Sequence, residues 1–410
     1  MRILLLILLG MGYCLTGAAA DTTRRFSVIA YYSGNATDID RYNIQSLTHI
    51  IYSFALLKNN RLHVSAAAGN ILKKLVSLKK KHPHLKVALA FGGWGGCKPC
   101  SDLFAVPANR TAFAQSVLDI LQKYRLDGID IDWEYPAIDE GPAGHPYNVA
   151  DKQNFTELMK ALRNVLGKKY ELSFAAGVFP EYLYNSIEWK KVMSLADRVH
   201  LMSYDMVNRK SPFTGHHTAL YSTPSQTISI DNTIRFLDSL RIDRNKVVIG
   251  AAFYSRTYTV NSTRNNGLYQ PAKFKGFAVY KTYRQRFTKE NGFTFYWDDV
   301  AKAPWCFSST QKLFATFDDE RSVTLKTNYA IDKGLNGLLI WELRQDDSRQ
   351  RLLKAIAAAV RHRSDHLYWN DLSGYGGVLG ISGEAPFQVH GNDYVPKRSF
   401  SYKPVLPSAQ

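Results

Sequence analysis

Between Leu126 and Pro136 three carboxylates, Asp130, Asp132 and Glu134, alternate with Ile129, Ile131 and Trp133. A period of two places the carboxylates on one face of a strand and the apolar residues on the other. At about 3.3 Å rise per residue, successive carboxylate-bearing Cα atoms stand roughly 6.6 Å apart, so neighbouring side chains touch. An edge strand with a solvated acidic face would alternate in the same way. Two features oppose that reading: like charges in a row repel, and Ile, Ile and Trp need an apolar layer behind them. Carboxyls set this close do acid–base chemistry, because Asp132 raises the cost of ionising Glu134 and helps it keep a proton. Glu134 ends the strand and is the candidate acid, and Pro136 stops the strand.

Holding such a strand needs a large scaffold, and the 410-residue chain is long enough to build one. Residues 1–20 read as a secretory signal, with Arg2 as their charge, an apolar stretch over 3–13 and Ala18-Ala19-Ala20 as a cleavage site. The apolar run is too short for a bilayer and no later stretch reaches about eighteen apolar residues, so a secreted protein with no stable membrane span is expected. Hydrophobic content of 45% excludes a disordered chain. β-branched and aromatic runs at 26–32, 50–56, 87–91, 128–134, 171–176, 198–204, 247–254 and 338–341 read as eight strands. Amphipathic helical stretches at 71–80, 113–124, 155–166, 228–240, 323–332 and 352–359 lie between or after them. Strands alternating with helices predict an α/β fold with a parallel sheet, closed at this length into a (β/α)8 TIM barrel, with a doubly wound open sheet as the alternative. The gap between the seventh and eighth strands exceeds one helix, and its Tyr- and Phe-rich alternation (277–283, 293–297) predicts a small α+β insertion. The expected organisation is a signal at 1–20, a barrel from 21–257 and 318–362, the insertion at 258–317 and an extension of unassigned role at 363–410.

In a barrel of this kind, chemistry gathers where strands finish. The first strand ends in Tyr31-Tyr32, the second contributes Phe54, and the third ends in a Gly-rich turn carrying Trp94. Tyr135 follows the candidate acid. The sixth strand ends in Met202-Ser-Tyr204-Asp205, the seventh in Tyr254-Ser-Arg256 and the eighth at Trp341. One aromatic residue is most simply a packing residue. Aromatics recurring at successive strand ends form a platform for sugar rings, whose axial C–H faces pack on π-faces.

Asp127, Gly128, Asp130, Asp132 and Glu134 together resemble the DGxDxDxE signature of glycoside hydrolase family 18, the chitinases and their relatives. Met202, Tyr204 and Asp205 resemble that family's Met-x-Tyr-Asp, Tyr254 and Arg256 its Tyr-x-Arg, and Trp341 its sugar-floor Trp. Gly92-Gly93-Trp94 is similar to its SxGGW, with Ala90 standing at the Ser position that normally supports the Asp cluster. The resemblance spans roughly residues 26–361. It implies a retaining hydrolase in which the substrate's own 2-acetamido oxygen attacks the anomeric carbon, an exception to the two-carboxylate mechanisms. On this reading Glu134 protonates the leaving group and later activates water. Asp132 orients the acetamido N–H, Asp130 manages the charge on Asp132, and Tyr204 donates to the acetamido carbonyl. Asp205 binds sugar hydroxyls, and Tyr31, Phe54, Trp94, Tyr135, Met202, Tyr254, Arg256 and Trp341 line the subsites. No metal or cofactor is implied. The implied substrate is a β-1,4-linked N-acetylglucosamine polymer, chitin or chito-oligosaccharide, with an endo-β-N-acetylglucosaminidase acting on N-glycans or peptidoglycan as the alternative. A non-catalytic chitin-binding lectin is a third reading, opposed by the presence of Glu134.

The net charge of +17 favours acidic surfaces, but the basic residues are scattered except for Lys79-Lys80-Lys81. No nucleic-acid motif accompanies them, so no nucleic-acid partner is expected, and a monomer is. Cys97 and Cys100 flank Lys98-Pro99 and read as a short loop disulfide, since neither a thioredoxin pattern nor a second ligand pair for zinc is near. Asn35, Asn109, Asn154 and Asn261 sit in N-x-S/T sequons.

Overall fold

The computed structural model describes residues 26–373, with side chains to Arg363. The expected signal at 1–20 and most of the extension at 363–410 lie outside the described residues. The strands are β1 (Ser27–Tyr32), β2 (His49–Lys58), β3 (Arg61–His63), β4 (Lys86–Gly92), β5 (Gly128–Asp132), β6 (Glu171–Gly177), β7 (Arg198–Met202), β8 (Val247–Ala252), β9 (Tyr254–Val260), β10 (Ala272–Val279), β11 (Thr294–Asp298), β12 (Ala303–Ser308), β13 (Leu313–Thr316) and β14 (Gly337–Trp341). The helices are α1 (Ala66–Ser77), α2 (Cys100–Ala105), α3 (Pro107–Tyr124), α4 (Asp151–Leu166), α5 (Trp189–Leu195), α6 (Ile230–Ser239), α7 (Tyr280–Arg286), α8 (Glu320–Asp332) and α9 (Arg351–Ser373).

Eight parallel strands, in the order β1-β14-β8-β7-β6-β5-β4-β2, close on themselves through the β1–β2 pairing and form a (β/α)8 barrel. Burial on both faces explains why these strands read as continuous apolar runs. Ile29, Tyr31, Ile51, Ala88, Ala90, Val248 and Leu339 fill the inside of the barrel. Ile50, Val87, Leu89, Ile129, Ile131, Leu172, Val199, Ile249, Leu338 and Ile340 face the helical ring. At the strand starts Arg198 links Glu171 on β6 with Asn336 before β14, its Nε 2.8 Å from the Asn336 amide oxygen.

Three strands stop two residues earlier than the apolar pattern predicts, at Asp132, Met202 and Ala252. The reason is visible after β7. There the Ser203 hydroxyl donates to the Gly250 carbonyl at 2.9 Å and accepts from the Gly250 amide at 2.7 Å, taking the place of ladder bonds. The chain is thereby released from the sheet, and Tyr204 and Asp205 turn towards the mouth. Helix α5 went unpredicted because seven residues are too few for a helical period to register.

Between β8 and β14 the chain forms a five-stranded antiparallel sheet, β10-β9-β13-β12-β11, with α7 packed beside it. It begins at Tyr254, four residues before the expected boundary of 258, because only Phe253 interrupts the run from β8 into β9. The stretch 277–283 is not one strand: β10 ends at Val279, and Tyr280, Tyr283 and Phe287 bury one face of a helical turn at i, i+3 and i+7 spacing.

Candidate active site

Register decides what surrounds each carboxylate. On β5, Asp130 pairs with Ala90 of β4 on one side and Ser173 of β6 on the other, while Asp132 pairs with Gly92. Asp130 is wholly buried, yet it accepts hydrogen bonds from the Tyr31 hydroxyl and from Ser173 Oγ at 2.6 Å. His200 Nδ1 stands 3.0 Å from Oδ1 of Asp130, off the line of a good hydrogen bond. Burial raises the Asp130 pKa, but His200, Ser173 and Tyr31 together overcome it and hold the carboxyl below its ordinary value. Asp130 is thus favoured as an anion although it is fully buried.

Asp132, one strand repeat along, is the opposite case. It is 3% exposed and its Oδ1 has no hydrogen-bond partner among the described residues. Burial first, then the charges of Glu134 and Asp130, push its pKa well above the carboxylate range. Glu134 lies two residues beyond the strand rather than within it. Burial pushes Glu134 up to about 7, with Asp205 adding to the rise and a hydrogen bond from Tyr135 opposing it. The proton on Glu134 is thus held chiefly by burial.

The aromatic residues close around these acids. Trp341 packs edge-on to Tyr31 at 5.3 Å between ring centres and against Phe54 at 5.8 Å. Tyr204 packs against Tyr254 at 6.1 Å, with Met202 and Trp341 partly buried beside them. Burial, followed by Asp132 and Glu134, raises the Tyr204 pKa, so its phenol is a neutral O–H donor facing two acids. Tyr135 is fixed from below by Phe179 and Tyr182 at 5.3 and 5.5 Å. Trp94 stands apart at the rim, 52% exposed. Cys97 and Cys100, just after it, form a disulfide.

Asp205, read from sequence as a sugar-hydroxyl ligand, is engaged by Arg256 of β9, whose Nε lies 2.6 Å from one oxygen while Nη2 reaches the other. His217 Nδ1 is 3.7 Å away. The pair joins the end of β7 to the first strand of the second sheet, so the insertion is tied into the mouth. Sequence reasoning passed over Ser173, His200 and His217. The first two had a signal: each is a polar residue in the interior of a short strand whose two faces are both buried.

A (β/α)8 barrel whose mouth gathers an Asp-Asp-Glu ladder, two buried tyrosines and a Trp has the outline of a sugar-hydrolase scaffold. The family model for glycosyl hydrolases family 18 matches residues 27–346, and the chain belongs to that family. It is 29% identical to chitinase A1 of Niallia circulans over 86% of its own length, and spans 61% of that protein. It is 30% identical to chitotriosidase-1 of Mus musculus, covering 73% of this chain and 67% of the mouse protein. Among solved structures, a family 18 N-acetylglucosaminidase from Paenibacillus barengoltzii superposes with a TM-score of 0.75 at 32% identity, covering 82% of this chain and all of that one.

Proposed function

We propose that the protein is an exported, retaining hydrolase that cleaves β-1,4-linked N-acetylglucosamine polymers, chitin and chito-oligosaccharides, as a monomer and through the substrate's 2-acetamido group. The observation that carries this reading is the unsatisfied Oδ1 of buried Asp132, flanked by the neutral phenol of Tyr204. A buried acceptor without a donor is costly, and an acetamido N–H supplies the missing bond while the same group's carbonyl accepts from Tyr204. Held at both ends, the acetamido oxygen lies under the anomeric carbon. Attack then gives a cyclic oxazolinium-type intermediate, and water opens it with net retention.

Glu134 supplies the proton. Its pKa, raised to about 7, leaves a large fraction of it protonated at neutral pH, and after transfer to the leaving oxygen it becomes the base that activates water. Trp341 forms the apolar floor under the reacting sugar, and Trp94 offers a further ring contact at the rim. No metal or cofactor enters the scheme. The signal expected at 1–20 supports export, and the chitinase names of the relatives support the substrate class.

The test compares wild type with Glu134→Gln on soluble chito-oligosaccharides, with product lengths resolved by mass spectrometry. Cleavage by wild type and near-complete loss in the variant supports both the acid and the substrate class. Binding without cleavage by wild type converts the reading to a lectin, and neither directs the search to N-glycans and peptidoglycan.

A further inference from the structure

The carboxylate ladder depends on one acid staying charged although it is fully buried. Asp130 is 0% exposed, and an isolated ionised carboxylate there would take up a proton instead. Four elements face it. Tyr31 reaches it from β1, Ser173 from β6 and His200 from β7, with Asp132 next along its own strand and the Tyr204 phenol just past β7. Of these, Ser173 and His200 have no other part in the scheme above. The remaining neighbour in the register, Ala90 of β4, has no donor to give.

We propose that Ser173 and His200 are positioning residues for the hydrolysis, holding Asp130 as an oriented anion from the β6 and β7 side of the barrel because β4 offers only a methyl group. The inference rests on the functional reading above. With Oδ1 of Asp130 bonded by Ser173 and faced by His200 at 3.0 Å, and Oδ2 bonded by Tyr31, the carboxylate is held in one orientation. Its charge then acts on Asp132 from a fixed direction, helping to keep the Asp132 proton while leaving Oδ1 of that residue free for substrate. The ladder makes the arrangement symmetric about β5. Ala90 and Ser173 are the two register partners of Asp130, so a hydroxyl on either strand approaches the same carboxylate.

The experiment uses the full chain and four variants: Ser173→Ala, Ser173→Thr, Ala90→Ser combined with Ser173→Ala, and His200→Phe. For each, kcat and KM on chito-oligosaccharides are followed across pH, with thermal unfolding alongside. The Asp130 carboxyl is titrated by 13C NMR, its signal assigned by loss in Asp130→Asn. Ser173 and His200 both lower the Asp130 pKa, so Ser173→Ala and His200→Phe raise it and move the acidic limb of kcat to higher pH. They lower kcat about tenfold while KM stays within about twofold. Ser173→Thr retains wild-type behaviour, and Ala90→Ser recovers most of the loss caused by Ser173→Ala. The NMR titration moves in the same direction even if chito-oligosaccharides prove to be the wrong substrate, which separates this inference from the functional one. An unmoved Asp130 titration in Ser173→Ala, or a kcat loss that follows only a fall in melting temperature, overturns it.

Discussion

Gly92 and Asp132 are in backbone contact: a Cβ added to Gly92 would lie 2.1 Å from the Asp132 carbonyl oxygen, which accepts from the Gly93 amide at 2.8 Å. Gly92 also has φ +106, a left-handed conformation that only glycine adopts cheaply. The turn after β4 is therefore seated directly on the acid ladder. Gly92→Ala must push one strand end off the other, with a backbone cost of about 1–3 kcal/mol. The expected result is a protein that still folds, melts several degrees lower and loses at least about tenfold in kcat, since small displacements of reacting groups cost heavily. A variant with wild-type kcat would show that this contact does not position Asp132.

The pH dependence of activity follows from Glu134. The acid acts protonated, so activity is present below its pKa of about 7 and is lost as pH rises through it. The hydrogen bond from Tyr135 pulls that pKa down, so Tyr135→Phe lets it rise. The alkaline limb of kcat/KM should move to higher pH in Tyr135→Phe, measured with a substrate whose own ionisation is constant. A limb that stays put, or moves down, would remove Tyr135 from control of the acid.

Much of this site was legible in the residues because its parts are local. Asp130, Asp132 and Glu134 reveal themselves by alternation within five positions, and Trp341 by falling at the end of an apolar strand. Barrel closure was legible for a similar reason, each strand being a short, doubly buried run. Contacts between strands were not legible. Ser173 and Asp130 are 43 residues apart, and only the register of β5 with β6 brings them together. The engagement of Asp205 by Arg256 was hidden in the same way: each was recognised at its own strand end, but no local pattern says that they meet. The early strand ends at Asp132, Met202 and Ala252 escaped because apolar composition continues past the point where side chains such as Ser203 replace the ladder.

The fork of Arg256 on Asp205 gives a further expectation. Burial alone would raise the Asp205 pKa, and His217 and Arg256 reverse this, holding the carboxyl well below its ordinary range. The Asp205 charge in turn contributes to the raised pKa of Glu134. Lysine keeps the charge of Arg256 but cannot present two N–H groups in a fixed plane. Arg256→Lys should lower kcat/KM about tenfold or more, the worth of one charge-assisted hydrogen bond of roughly 1.5–3 kcal/mol. Steady-state kinetics on a short oligosaccharide would decide it, and an unchanged kcat/KM would show that charge alone suffices at this position.

Lys326 and Asp318 form an ion pair with both side chains 0% exposed, Nζ lying 2.6 and 2.8 Å from the two carboxylate oxygens. Thr218 also accepts from Nζ, and Asp318 accepts from the backbone amide of Ala252 at 3.0 Å. Its own carbonyl accepts from the Tyr283 hydroxyl at 2.7 Å. The pair thus fastens α8 to the last residue of β8 and to the helix of the inserted sheet, two residues before Tyr254. Such a pair adds little net stability relative to an apolar substitute, but breaking one half strands a buried charge. Lys326→Met should cost about 3–5 kcal/mol, whereas Lys326→Met with Asp318→Asn should cost distinctly less, because Asn removes the charge and still accepts from Ala252. Urea unfolding of the three proteins tests this through the midpoint at constant slope. If the single variant proves no less stable than the double, the carboxylate is not carrying an uncompensated charge, and Asp318 must be reached by water or another cation when Lys326 is gone.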